Sequence, residues 1–231
     1  MSRNATAEQP FHCNLTDDLP EVPTLPETLL LMELKIREFS VDLREISRLV
    51  LGDLGATLQI YRRVAREYGD AEDRPTRIED CISSLGLEAC LRAAGAEMSS
   101  RMNCGSAVLE LWAHSRDVAQ ICSALAEERG YPCSTEDAYQ VGLLHGIGLL
   151  PRVLGWNGRD LGVQERCRTA ARLAYQWSLP SCVQECFTEK QHPGERSRWD
   201  ELVHLAHQKA RRSPVCDPSS GGLLLNLQRR S

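Results

Sequence analysis

The chain has 231 residues, enough for one large domain or two small ones, and 42% hydrophobic content is enough to bury a sizeable core. Aromatics make up 5% and Leu and Ala dominate the apolar set, which favours helices over a β-sandwich. A formal net charge of -5 and a pI near 5.7 argue against a nucleic-acid binder driven by a basic face, and no apolar run approaches the roughly 20 residues that cross a bilayer. The N-terminus through Phe11-His12-Cys13 lacks the apolar stretch of a signal peptide, so the expected setting is the cytoplasm. The 10 cysteines are then expected as buried thiols rather than disulfides. Cys182 and Cys186 lie one helical turn apart, but no CxxC pair accompanies them to complete a metal site.

Residues 1–18 are polar and aperiodic, and a flexible tail is expected there. Thr24-Leu25-Pro26-Glu27 joins capping-box spacing to a first-turn proline, so a helix should start there and run toward Arg37. Asp42 and Glu45 repeat the arrangement. Leu54, Leu58, Tyr61, Ala65 and Tyr68 form an apolar stripe at helical spacing, and Leu87, Leu91, Ala94 and Met98 form another. A longer stripe runs through Val108, Leu111, Trp112, Ser115, Val118, Ala119, Cys122 and Leu125. Ser134 and Asp137 open the helix expected to carry His145, and Trp199, Leu202, Val203, Ala206 and Ala210 define the last one. Trp112 and Trp177 read as core, and the Arg62-Arg63 and Arg211-Arg212 pairs as solvated surface. Gly142, Gly146 and Gly148, read as lying in one helix, each cost about 1 kcal/mol relative to Ala, which implies close approach of another backbone. From Ser213 onward Pro, Ser and Gly predict a second flexible tail, although it contains Leu223-Leu224-Leu225 and Leu227.

Several segments in order resemble the HDOD domain, a helical output domain of bacterial signalling proteins related to the HD metal-dependent phosphohydrolases. They are Leu25-Pro26, Leu43-Arg44-Glu45-Ile46, Leu51-Gly52-Asp53-Leu54 and the stretch from Ile78 to Ile82-Ser83-Ser84-Leu85-Gly86. More specific are Leu111-Trp112-Ala113-His114-Ser115 with Val118-Ala119, then Ala138 to Gly148, then Trp177-Ser178-Leu179-Pro180. The resemblance implies an all-α HDOD-type fold over residues 19–212, with an N-terminal bundle of about five helices (19–103) against an HD-like bundle (104–212), between tails 1–18 and 213–231.

The departures from the family pattern bear on function. In HD enzymes an early His, a His-Asp pair and a late Asp hold a metal that activates water, and the resemblance puts those roles on His114, on His145 with Gly146, and on His207. Gly146 has no side chain to ligate with, and His207 stands where the late Asp would be. Arg66-Glu67-Tyr68-Gly69 replaces the family's Asn-Ser, and Arg166-Cys167-Arg168-Thr169 lacks its His. His114 and His145 therefore read as groups that hydrogen-bond between helices, in a vestigial pocket whose candidates are His114, His145, Gly146, His192 and His207. A His-only cluster of His114, His145, His192 and His207 suits zinc or nickel in principle, and geometry decides it. The expectation is no bound cofactor or metal and no catalysis. What the resemblance implies is a bacterial regulatory module acting on protein partners, as a homodimer or under an upstream sensor, without nucleic acid or membrane. The rival readings are a metal-dependent phosphohydrolase of nucleotides or cyclic dinucleotides, with Glu185, Glu189 or Asp137 as substitute carboxylates, and a nucleotide sensor that does not hydrolyse.

Overall fold

Leu25, Asp42 and Asp53 precede the first three helices, and only the two aspartates cap with their side chains. The computed structural model describes residues 22–69, 71–95, 105–156, 162–187 and 197–210. Met98, His192, Glu189, Arg211, Arg212 and both expected tails lie outside the described residues. The first helix, α1 (Pro26–Ile36), has proline at its start, where the fixed φ suits the first turn and no N–H is needed. The capping box expected at Thr24 does not form: Leu25 is the N-cap, the buried Thr24 hydroxyl finds no partner, and the Leu25 N–H donates to Asp53 Oδ2 at 2.7 Å. At α2 (Leu43–Leu51) Asp42 accepts from the Arg44 N–H at 2.8 Å, while Glu45 turns outward to Lys35 at 2.9 Å rather than closing a box.

Asp53 caps α3 (Leu54–Tyr68) through the N–H groups of Gly55 and Ala56 at 2.8 and 3.1 Å. Two shorter helices, α4 (Ile78–Leu85) and α5 (Leu87–Gly95), meet at Gly86, whose φ of 80° gives the sharp turn between them. The long α6 (Ser106–Arg129) buries the whole predicted stripe from Val108 to Leu125. Gly130 then ends it with a left-handed φ of 60°. A true capping box of Ser134 and Asp137 starts α7 (Thr135–Leu144).

That helix stops at Leu144. His145 is its C-cap, and Ile147–Leu149 form a tight 3₁₀ turn, so the glycines do not share one helix. Gly142 ends within α7, Gly146 precedes the turn and Gly148 lies in it. Four more helices follow: α8 (Leu150–Val153), α9 (Val163–Gln176), α10 (Ser181–Phe187) and α11 (Arg198–Ala210). Among the described residues there is no strand, and no helix is long and apolar enough to cross a membrane.

One continuous set of buried side chains runs from Val22 in the N-terminal bundle to Ala206 in α11. Polar links join the bundles as well. Trp112 Nε1 donates to Asp53 Oδ1 at 3.0 Å, the Tyr139 hydroxyl donates to the Leu51 carbonyl at 3.1 Å, and Arg77 pairs with Glu136 at 2.6 Å. Arg62 departs from the surface role expected of it: it is only 8% exposed, its guanidinium lies 5.6 Å from the centre of the Trp177 ring, and it donates to Gln59 Oε1 at 3.3 Å. Arg63 does face solvent, beside Glu67.

Candidate functional site

Three helices bring their histidines to one point. His114 sits midway along α6, His145 at the end of α7 and His207 near the end of α11. The stripe register of α6 puts Leu111, Trp112 and Ser115 in the core and leaves His114 at the stripe's edge, partly buried. In α11 the buried positions Leu202, Ala206 and Ala210 likewise leave His207 at the margin, facing α6 and α7. His204 is exposed and contacts Gln208 instead.

The three rings meet edge to face, with centroids 5.3 Å apart for His114 and His145, 5.1 Å for His114 and His207, and 4.8 Å for His145 and His207. Each offers a ring nitrogen, and these nitrogens all lie within 4.8 Å of one another. His145 Nδ1 lies 2.6 Å from the Gly142 carbonyl, and a carbonyl only accepts, so Nδ1 carries the proton. That leaves the Nε2 lone pair of neutral His145 facing His207 Nε2, 3.2 Å away. Burial, followed by repulsion from the other two imidazoles, holds His145 well below the ordinary value of 6.5. His114 is lowered by burial too, with Asp117 opposing the shift.

Gly146 lies beside this cluster. A Cβ there would stand 3.1 Å from Leu111 Cδ1 and 3.7 Å from Ser115 Oγ, a hydroxyl that is buried without a hydrogen-bond partner. The close backbone approach expected of the glycines belongs to the other two. A Cβ at Gly142 would fall 2.6 Å from Ala119 Cα, and one at Gly148 would fall 2.4 Å from the Arg166 carbonyl oxygen.

Of the five pocket candidates, His114, His145, Gly146 and His207 come together, and His192 lies outside the described residues. Of the substitute carboxylates, Glu189 lies outside the described residues, and Asp137 and Glu185 do not join the cluster. Asp137 is occupied in the α7 capping box, and Glu185 accepts from Trp199 Nε1 at 3.0 Å with Arg198 at 3.6 Å. Among the described residues, no Asp, Glu or Cys shares the histidine cluster. Cys182 and Cys186 form no disulfide among the described residues and lie outside the cluster. Asp53 and Arg62 carry structural roles that sequence reasoning missed. Asp53 stood within a quoted segment of the resemblance, but burial of its partner Trp112 against it is a tertiary fact.

The family model for the HDOD domain matches residues 22–155. Two crystal structures of the MmoQ response regulator from Methylococcus capsulatus str. Bath are similar to this chain. One has a TM-score of 0.62 at 19% identity, covering 84% of this chain and 87% of that one. The other has a TM-score of 0.64 at 17% identity, covering 85% and 90%. The comparison with curated proteins finds no match.

Proposed function

Because this chain belongs to the HDOD domain family, we propose that it is a non-catalytic regulatory module of bacterial signalling that works through protein contacts. The observation that carries the reading is the composition of the cluster: three imidazoles meet beside Gly146, with no carboxylate among them in the described residues. Metal-assisted phosphoester hydrolysis needs a metal-bound water, a means of taking its proton and charge to balance the ion, and carboxylates ordinarily supply the last two. Here that position is a glycine.

Exposed apolar residues elsewhere support action through protein contacts. On α1, Leu30, Leu31 and Leu34 are 58%, 44% and 55% exposed, with Phe39 fully exposed just beyond the helix. Apolar side chains gathered on one exposed face are the usual material of a protein interface, whether with a partner or with a second copy of the chain. MmoQ is described as a response regulator, and a regulatory role is what we carry to this chain, acting in the cytoplasm without nucleic acid or membrane.

The test is an assay of purified protein with magnesium, manganese, iron or nickel on nucleotides and cyclic dinucleotides, against His145→Ala. The expected outcome is no turnover above that variant. Turnover that vanishes in it would make the protein a phosphohydrolase, and tight nucleotide binding without turnover would make it a sensor.

A further inference from the structure

The nitrogen geometry of the histidine cluster has a second use besides holding helices together. We propose that His114, His145 and His207 form a three-imidazole site for a divalent transition-metal ion of the zinc type, which ties α11 to α6 and α7. The proposal goes beyond the regulatory reading, and neither rests on the other.

Two nitrogens bound to zinc at about 2.0–2.1 Å with tetrahedral angles stand about 3.3 Å apart. His145 Nε2 and His207 Nε2 are 3.2 Å apart, so this edge of the tetrahedron is already set. All the ligand nitrogens lie within 4.8 Å of one another, so bringing His114 into the set needs a movement of about one to two ångströms at most, on the order of a side-chain adjustment. Metal-binding histidines characteristically donate their other N–H to a carbonyl or carboxylate, which fixes the tautomer and aims the lone pair. His145 does so, through Nδ1 to the Gly142 carbonyl at 2.6 Å.

Donor chemistry selects the ion. Three neutral imidazoles suit zinc, nickel or cobalt, whereas magnesium, calcium and manganese prefer oxygen. Imidazole ligands bind through a neutral nitrogen lone pair, and the Nδ1–H tautomer of His145 leaves its Nε2 lone pair open to an ion. In the metal-free chain the 3.2 Å contact is a hydrogen bond from His207 Nε2–H to His145 Nε2. On coordination His207 must present that lone pair and carry its proton on Nδ1 instead, a tautomer change with no net proton released. The fourth position falls to water or a small anion, since Gly146 contributes no side chain on its side of the cluster.

The experiment uses the full chain, stripped with chelator, kept reduced and titrated with Co²⁺ and then Zn²⁺. About one equivalent of Co²⁺ is expected to bind with visible ligand-field bands of a four-coordinate ion and no thiolate charge-transfer band, and Zn²⁺ should displace it. His145→Ala and His207→Ala should each weaken Zn²⁺ binding by about 100-fold or more, while Cys182→Ser leaves it unchanged. Absence of binding by the folded chain, a thiolate band, or undiminished affinity in folded His207→Ala would overturn the site. Should the alanine variants fail to fold, the cobalt spectrum of the unaltered chain still decides it. Loss of this proposal leaves the regulatory reading intact, and hydrolytic turnover would remove that reading without touching the metal site.

Discussion

At Asp53 one carboxylate gathers the N–H groups of Leu25, Gly55 and Ala56 and the Trp112 indole, with the Thr28 hydroxyl as a further donor. It caps α3, anchors the start of α1 and reaches across to α6. Burial pushes its carboxyl up from 3.8, and these donors pull it back in part. The folded chain then holds this proton more tightly than the unfolded one does, so ionisation of this group taken alone lowers stability as pH rises through 3.8 toward the raised value. The donors reduce that cost without cancelling it. Asp53→Ala, which strands them, is expected to cost at least about 3 kcal/mol. Asp53→Asn still caps α3 but sets an amide N–H against one of the donors, and should cost about 1–2 kcal/mol. Urea midpoints measure both, and an alanine variant as stable as the asparagine one would show that water replaces the carboxylate.

The pairing of α6 with α7 depends on a glycine where the helices nearly touch. A methyl group at Gly142 would meet Ala119 Cα at 2.6 Å, and backbone cannot yield as a side chain can. Gly142→Ala should therefore push the helices apart at a cost of about 3 kcal/mol, despite its better helix propensity. Gly146→Ala meets only the end of Leu111 at 3.1 Å, which can rotate away, and a change within about 1 kcal/mol is expected. Thermal unfolding of the two variants side by side tests the ranking. The reverse order would place the tight contact at Gly146 instead.

For the whole molecule, the buried set that continues from Val22 to Ala206 implies that neither bundle covers its own apolar faces. The buried Arg62 against Trp177 and the Trp112 indole on Asp53 would both lose their partners if the bundles parted. We expect a single unfolding transition, and fragments 19–103 and 104–213 that aggregate when made separately, because large exposed apolar faces self-associate. Two soluble fragments, each unfolding cooperatively, would establish independent domains.

The all-helical fold was legible from the sequence because helical periodicity and caps are local: the α6 stripe, the Ser134–Asp137 box and the proline of α1 all stand where spacing put them. So was the absence of a carboxylate at position 146, which is a matter of residue identity. Thr24 misled because a cap depends on which partner reaches the first N–H groups, and Asp53, 28 residues after Leu25, reaches the N–H that starts α1. Arg62 looked like surface because charge is read locally, whereas Trp177 arrives from the other bundle. The break of α7 at His145 separated glycines that spacing had joined. The convergence of His114, His145 and His207 was left open by the sequence. Ring nitrogens within 4.8 Å depend on the crossing of three helices, and helix crossings are set by how side chains pack between elements distant in the chain.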